Sequence, residues 1–317
     1  MDLSVVIPVY NEEENVEPLV GEITSALEPL GKSYEIIFVD DGSRDQTFKR
    51  LAGLRQRVPT LQGIRLKRNF GQTAALAAGL AYARGDAIVL MDGDGQNDPA
   101  DIPRLLEELD RGCDLVCGWR YERRDPFLSR RLPSMIANRL ISWATQVKLH
   151  DYGCTLKALR KEAAKDLKLY GEMHRFIPAI AYERGARVTE MQVHHRPRLR
   201  GTSKYGITRT LRVILDLLTV KFLISYSTRP AHVFGPIGVA SGGLGFLIAV
   251  YLSLQKILYN AEIGGRPLLL LAILLIFIGF QFVTMGLLGE MLARTYHESQ
   301  KRPVFAVGEI LDDRSHE

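Results

Sequence analysis

The sequence predicts an α/β protein built on a mainly parallel sheet with helices on both faces, followed by a pair of membrane-spanning helices. Three observations carry this. Strand-like and helix-like runs alternate over roughly the first two hundred residues, the pattern of right-handed crossovers in a parallel sheet. Three of the strand runs end in acidic, polar text: PVYNEE (8–13), VDDGS (39–43) and MDGDGQ (91–96). The last third holds two long stretches free of formal charge, whereas the rest reads as charged and soluble. With 317 residues, 46% of them hydrophobic, the chain can bury a real core in one large domain or two ordinary ones, which excludes a disordered or fibrous protein.

Taken in order, LSVVIPVY (3–10) reads as a strand, EENVEPLVGEITSALEPL (13–30) as a helix, YEIIFVDDGS (34–43) as a strand and RDQTFKRLAGLRQR (44–57) as a helix. LQGIRLKRN (61–69) leads into a strand, GQTAALAAGLAYARG (71–85) is an Ala-rich helix, and AIVLMDGDG (87–95) is a strand that runs into an acidic cluster. Ligands of such sheets bind beyond the carboxyl ends of the strands, so the three polar strand ends should converge on one crevice.

The acidic cluster needs an explanation. Asp92, Asp94 and Asp98 follow an apolar run within a few residues, and Asp40 and Asp41 end another strand. Like charges that close raise one another's pKa and destabilise the fold unless a cation or a donor-rich ligand sits among them. Carboxylates spaced D-x-D suit a hard divalent ion, Mg²⁺ or Mn²⁺, that keeps positions open for phosphate oxygens. The tripeptide alone is also ordinary turn chemistry. No G-x-x-x-x-G-K-[ST] is present, and NEEEN stands where a dinucleotide fold would place glycines, so neither a P-loop nor a Rossmann cofactor site is expected. Asn69, Gly71 and Gln72 either line that crevice or cap the helix that follows them. His194 and His195, at a strand edge, read as structural, and Cys113, Cys117 and Cys154 as reduced packing residues of a cytosolic compartment.

Residues 230–255 and 267–289 carry no formal charge, and each exceeds the roughly 20 residues that an α-helix needs to cross the hydrocarbon. Gly238, Gly242, Gly243 and Gly245 in the first stretch suggest close helix contact. Basic residues gather before the hairpin (Lys204, Arg209, Arg212, Lys221, Arg229) and after it (Arg294, Lys301, Arg302), while the loop 256–266 carries only Lys256 and Arg266. The positive-inside rule then places both termini in the cytoplasm. ITRTLRVILDLLTVKFL (207–223) reads as an amphipathic helix, lying on the bilayer or packed on the domain. MDLSVVIPVYNEE has no basic n-region and no cleavable apolar core, so a folded strand is expected there and not a signal peptide.

VVIPVYNEEENV, EIIFVDDGSRDQT, RNFGQTAALAAGL, GDAIVLMDGDGQNDP, CGWR, DYGCTLKALRK and RLRGTSKYG, in this order and followed by a membrane hairpin, resemble the polyprenyl-phosphate glycosyltransferases of glycosyltransferase family 2. DYGCTLKALRK looks most like the branch that handles formylated aminoarabinose. The resemblance covers nearly the whole chain and implies a GT-A fold, a cytosolic nucleotide-sugar site and inversion at the anomeric carbon. It also implies roles. Pro8, Tyr10, Glu12, Asp40, Asp41 and Asp92 match nucleotide-sugar positions, and Asp92, Asp94 and Gln96 those around the metal (Mg²⁺ or Mn²⁺) and the diphosphate. Arg120, Arg130, Ser134, Arg198 and Lys204 match positions that hold the acceptor phosphate; the bland alternative for the Arg-rich stretch 120–131 is a basic loop facing solvent or membrane. Asp92, Asp94, Arg120, Arg130 and Lys204 would form the catalytic set. One departure is visible: the family's D-A-D-L-Q is D-G-D-G-Q here, which predicts a more flexible loop and leaves donor preference open.

The expected function is inverting transfer from a nucleotide diphosphate sugar, a UDP-sugar ahead of GDP-mannose, to a polyprenyl phosphate such as undecaprenyl phosphate, giving a lipid-linked sugar for the cell envelope. The expected organisation is a GT-A domain over 1–206, a juxtamembrane amphipathic helix over 207–229, two spans within 230–290 (about 231–254 and 267–289) and a cytosolic tail over 291–317. The protein should sit in the inner (cytoplasmic) membrane as a homo-oligomer and bind no nucleic acid. A processive polysaccharide synthase would be expected to carry Q-x-x-R-W and more spans. A non-catalytic membrane scaffold with a degenerate transferase domain is the alternative of a different class.

Overall fold

The structure is a computed structural model that describes residues 1–121, 142, 145, 147–165, 167, 169, 173–196, 231–260, 262–299 and 305–311. The chain divides into two compact units, Met1–Leu218 with Pro303–Glu317, and Thr219–Arg302.

The first unit is organised by one eight-stranded sheet. Its strands are β1 (Leu3–Val9), β2 (Tyr34–Asp40), β3 (Leu61–Leu66), β4 (Ala87–Leu90), β5 (Leu115–Arg120), β6 (Lys157–Arg160), β7 (Val188–Val193) and β8 (Val307–Leu311). The spatial order is β7-β5-β6-β4-β1-β2-β3-β8. β3, β2, β1 and β4 form the expected parallel block. β6 then runs antiparallel between β4 and β5, and β8 runs antiparallel along β3, so the whole sheet is mixed.

The parallel block forms because its strands are apolar on both faces. Leu3, Val5, Ile7 and Val9 of β1 pack with Val16, Leu19, Val20, Ile23 and Leu27 of α1 (Val16–Leu27) in the main core. The α1 residues recur every three or four positions, which turns one helical stripe inward. Burial of each such side chain is worth about 1.5–3 kcal/mol. Core contributions to this face also come from α2 (Thr47–Arg55) and α4 (Ile102–Asp110). The opposite face is covered by α3 (Gln72–Tyr82), whose alanines and Gly79 let it approach closely: a Cβ on Gly79 would lie 2.2 Å from Val6 Cγ1. A bulky residue there would lift α3 off β1.

α1 starts at Val16, later than the sequence pattern suggests, because the chain from Asn11 to Glu13 is laced to the loop after β2. Asn11 N–H donates to Ser43 Oγ (2.9 Å), Glu12 N–H to Thr47 Oγ1 (3.0 Å), and in return Asn11 Oδ1 accepts from Arg44 N–H (2.9 Å) and Glu13 Oε2 from Gln46 N–H (2.9 Å). Backbone donors that would have entered a helix are satisfied by side chains, and the two loops become one body.

The second unit contains α7 (Ala231–Tyr259) and α8 (Pro267–Ser299), numbered after the short helices α5 (Lys161–Lys165) and α6 (Ile177–Glu183) of the first unit. Phe234–Tyr259 and Pro267–Gly289 are long and apolar enough to cross a membrane. The two helices touch along small residues: a Cβ on Gly238 would lie 2.7 Å from Gly279 O, and one on Gly245 2.7 Å from Ala272 O. Gly242 is on the same seam, whereas Gly243, expected there too, faces open space.

Candidate active site at the carboxyl edge of the sheet

β4, β1 and β2 are neighbours and parallel, so their carboxyl ends open on one edge of the sheet, as the sequence predicts. Pro8 pairs with Val39 inside the ladder, and half-buried Tyr10 and Glu12 follow β1. Glu12 Oε2 accepts from Asn15 Nδ2 at 2.5 Å.

The two acids after β2 are held differently. Asp41 accepts the N–H groups of Phe70 (2.7 Å) and Gly71 (2.9 Å), and so anchors the entry to α3, where Gly71 takes φ 95°. Asp40 is fully buried; its Oδ1 accepts Ser43 N–H at 2.9 Å, and its Oδ2 lies 3.6 Å from Arg65 Nε. Burial raises the pKa of both, opposed by these N–H donors.

Asp92 and Asp94 stand in the loop after β4. Gln72 Nε2 donates to Asp92 Oδ1 (2.7 Å) and Thr155 Oγ1 to Asp92 Oδ2 (2.8 Å), while Asn97 Oδ1 accepts both Asp92 N–H (3.1 Å) and Thr155 Oγ1 (3.2 Å). Gln96 donates its backbone N–H to Asp94 Oδ1 at 3.1 Å. Burial, and then the neighbouring Asp94, push the Asp92 carboxyl up to about 6. The expectation of a loose D-G-D-G loop needs revision at its first glycine. A Cβ on Gly93 would lie 2.4 Å from Val9 Cγ1, so glycine lets the loop press on the end of β1; Gly95, at φ 73°, makes the turn. Asp98 has its cation in Arg196, at 2.8 Å.

Positive charge reaches this edge from the antiparallel half of the sheet. Arg120, at the end of β5, forks onto Asp151 (Nε to Oδ2 2.7 Å, Nη2 to Oδ1 3.0 Å), and Asp151 Oδ1 also accepts Gly153 N–H at 3.1 Å. Lys157 is buried and donates to the Cys154 carbonyl. Both cations act on Asp92 and oppose the rise in its pKa. His174 Nδ1 bonds Thr73 Oγ1 at 2.7 Å, and burial pushes its imidazole down to about 3, so it is neutral at physiological pH. His194 pairs with Asp101 at 2.9 Å, a structural contact as read, and His195 bridges to Asn97.

The structure therefore brings Asp92, Asp94, Gln96, Asp40, Asp41, Pro8, Tyr10 and Glu12 to one edge and places Arg120 at the end of β5. Arg130, Ser134, Arg198 and Lys204 lie outside the described residues. Gln72, left open between two roles, touches Asp92, while Gly71 caps α3. Thr155, Lys157 and Asp151 were assigned no role, although all three stand inside DYGCTLKALRK. Asn97 and Thr73 likewise stand inside GDAIVLMDGDGQNDP and RNFGQTAALAAGL without an assigned role, and His174 lies outside every quoted motif.

Among the described residues, no group of three or more His, Cys, Asp or Glu side chains could hold a metal ion by itself. Two oxygen-donor carboxylates at a mouth, one with a raised pKa, still fit a hard divalent ion that takes its other ligands from water and phosphate.

Residues 4–168 match the family described as Glycosyl transferase family 2. The chain belongs to that family. Over nearly its full length this family 2 enzyme is 47% identical to the dodecaprenyl-phosphate galacturonate synthase of Rhizobium johnstonii, covering 99% of this chain and 94% of that one. It is 39% identical to the undecaprenyl-phosphate 4-deoxy-4-formamido-L-arabinose transferase of Shewanella sediminis, covering 98% and 92%. A solved glucosyl-3-phosphoglycerate synthase of Mycobacterium tuberculosis, in complex with Mn²⁺, uridine diphosphate and phosphoglyceric acid, superposes with a TM-score of 0.55 at 20% identity, over 72% of this chain and 80% of that one. At that identity the likeness speaks for the GT-A fold alone.

Proposed function

We propose that this enzyme transfers a sugar from a nucleotide diphosphate sugar, a UDP-sugar ahead of GDP-mannose, onto the phosphate of a polyprenyl phosphate such as undecaprenyl phosphate, with inversion. One observation carries the reading: the likeness to two kinds of polyprenyl-phosphate sugar transferase runs through the catalytic domain and both apolar helices. Two spans would hold the catalytic domain at the surface where a lipid acceptor lies. The distribution of basic residues supports a cytoplasmic-membrane enzyme with its catalytic domain and termini in the cytoplasm.

In the reaction an acceptor phosphate oxygen forms a bond to the anomeric carbon as the bond from that carbon to the diphosphate breaks, and the nucleotide diphosphate leaves. The second pKa of a phosphate is about 6, so the acceptor is largely ionised at neutral pH and needs no protein base. Asp92 and Asp94 would hold a Mg²⁺ or Mn²⁺ ion, which when bound offsets charge on the leaving diphosphate. Gln72 and Thr155 fix the Asp92 carboxylate, and Asp151 fixes the Arg120 fork that would face the acceptor phosphate. Arg130, Ser134, Arg198 and Lys204 complete that clamp in this reading.

Purified protein in detergent, given polyprenyl phosphate and a panel of nucleotide sugars, should yield one lipid whose mass equals polyprenyl phosphate plus a sugar, together with free nucleotide diphosphate. No lipid product from any donor would overturn the reading in favour of the scaffold alternative.

A further inference from the structure

Lys157 is a buried cation with no part in the chemistry of transfer. It opens β6, with Leu90 of β4 and Cys117 of β5 as register partners on its two sides, so it lies at the carboxyl ends of both neighbours and inside the sheet. A lysine is rarely enclosed without a compensating charge. Its Nζ donates to the Cys154 carbonyl, a neutral acceptor, and among the described residues it makes no ion pair.

Elimination identifies the charge that it answers. Asp151 is held by the two-bond fork of Arg120, and Glu190 is paired with His150. Burial pushes the Cys117 thiol up to about 12 and raises Cys154 as well, so neither sulfur is charged at neutral pH, and His174 is neutral. Asp92 remains. It lines, together with Thr155, Lys157 and His174, a cavity of about 10 Å³, the space of a single water. Thr155, on the same short stretch as Lys157, holds Asp92 Oδ2 at 2.8 Å. The lysine thus approaches the carboxylate from the interior, and its charge opposes the rise in the Asp92 pKa that burial and Asp94 impose.

We propose that Lys157 is the resident counter-ion of the acidic edge: it balances Asp92 while no divalent ion is bound and weakens the hold on the ion that does bind, so that the metal is exchangeable and not a fixture of the fold. Lys157 is a positioning residue, since it acts through Asp92. A fixed cation repels a divalent ion about twice as strongly as it repels a proton at the same place, because the charge is double. Without Lys157 the edge would keep two crowded carboxylates, one of them held by the neutral donors Gln72 and Thr155, and the divalent ion would be needed to balance them. The proposal rests on the reading of Asp92 and Asp94 as metal ligands and is independent of donor and acceptor.

The test titrates Mn²⁺ into the full-length protein in detergent, at pH 8 so that protons compete little for the carboxylates, and reads the free ion by electron paramagnetic resonance. Lys157→Gln removes the charge and keeps an N–H donor for the Cys154 carbonyl; Lys157→Arg keeps the charge. Lys157→Gln should bind Mn²⁺ about tenfold more tightly than wild type, the order of effect of one unit charge on a divalent ion at a partly buried site, while Lys157→Arg stays within about twofold. Thermal midpoints give a second readout: in chelator Lys157→Gln should melt below wild type, and saturating Mn²⁺ should close the gap. A Lys157→Gln protein that folds only with Mn²⁺ would support the proposal in the same way. Equal or weaker Mn²⁺ binding by Lys157→Gln, or a loss of midpoint or of fold that saturating Mn²⁺ leaves unchanged, would overturn it by showing that the lysine serves only the packing. A wild type that binds no Mn²⁺, and whose affinity for UDP Mn²⁺ does not change, would overturn it together with the metal reading.

Discussion

The two halves of the sheet divide the chemistry between them. In the parallel half, β1, β2 and β4 each end in a loop whose acids are held by hydrogen-bond donors of that same half: Ser43 for Asp40, the α3 entry for Asp41 and Gln72 for Asp92. In the antiparallel half, β5 and β6 bring Arg120 and Lys157, with Thr155 reaching across to Asp92. The seam between β4 and β6 is where an acidic edge meets its cations. A site for a charged donor and a charged acceptor can thus be assembled from halves of opposite sign, each tolerable because the other is close.

Removing the acid side of the seam should have the largest effect. Asp94→Asn should abolish transfer, measured as lipid product, while the thermal midpoint holds or rises, since one of two crowded carboxylates is gone. Residual transfer close to wild type, or full activity in excess chelator, would break the assignment of a metal to this edge.

On the basic side, Arg120→Ala should lower transfer at limiting polyprenyl phosphate by about one to two decades, the size of a lost charge-assisted contact of about 1.5–3 kcal/mol. The affinity for nucleoside diphosphate with metal should barely change. Because the substitution also takes from buried Asp151 its cation, the protein should lose stability, and adding Asp151→Asn should recover stability without recovering transfer. Lost nucleotide affinity would move Arg120 to the donor side.

The smallest effect is on stability and concerns His174, beneath the seam. Its folded pKa, about 3, lies below the unfolded value near 6.5, so below 6.5 the unfolded chain takes up a proton that the folded chain refuses. Through His174 alone stability should fall by about 1 kcal/mol as pH drops from 7 to 5.5, while the raised Asp92 carboxyl takes up a proton in the fold over the same range and acts in the opposite sense, so the effect is read as the difference in denaturant midpoints between wild type and His174→Gln. Equal pH dependence in the two proteins would mean that the ring is protonated in the fold.

The parallel half was legible because its rules are local: apolar strand, helix, acid at the strand end. The positions of Asp40, Asp41, Asp92 and Asp94 follow from that grammar and from a parallel order that puts their loops side by side. The antiparallel half was not. β6 is four residues, Lys157–Arg160, too short for a periodic signal, and DYGCTLKALRK shows Asp151, Thr155 and Lys157 without saying that the chain inserts them between β4 and β5. β8 falls within the stretch expected as a cytosolic tail; VGEIL alternates no apolar face, and what seats it is Gly63, distant in the chain.

That last strand also has a consequence in time. β3 is synthesised before the hairpin and β8 after it, so for most of translation the outer flank of β3 has bare N–H and C=O groups, the kind of edge that invites mispairing. The catalytic sheet is finished only by a chain that has already produced both apolar helices. A truncation that removes the hairpin from Thr228 onward also takes away the closing strand, so a soluble form of this enzyme should be made by excising the helices and joining Val307–Leu311 back to the domain.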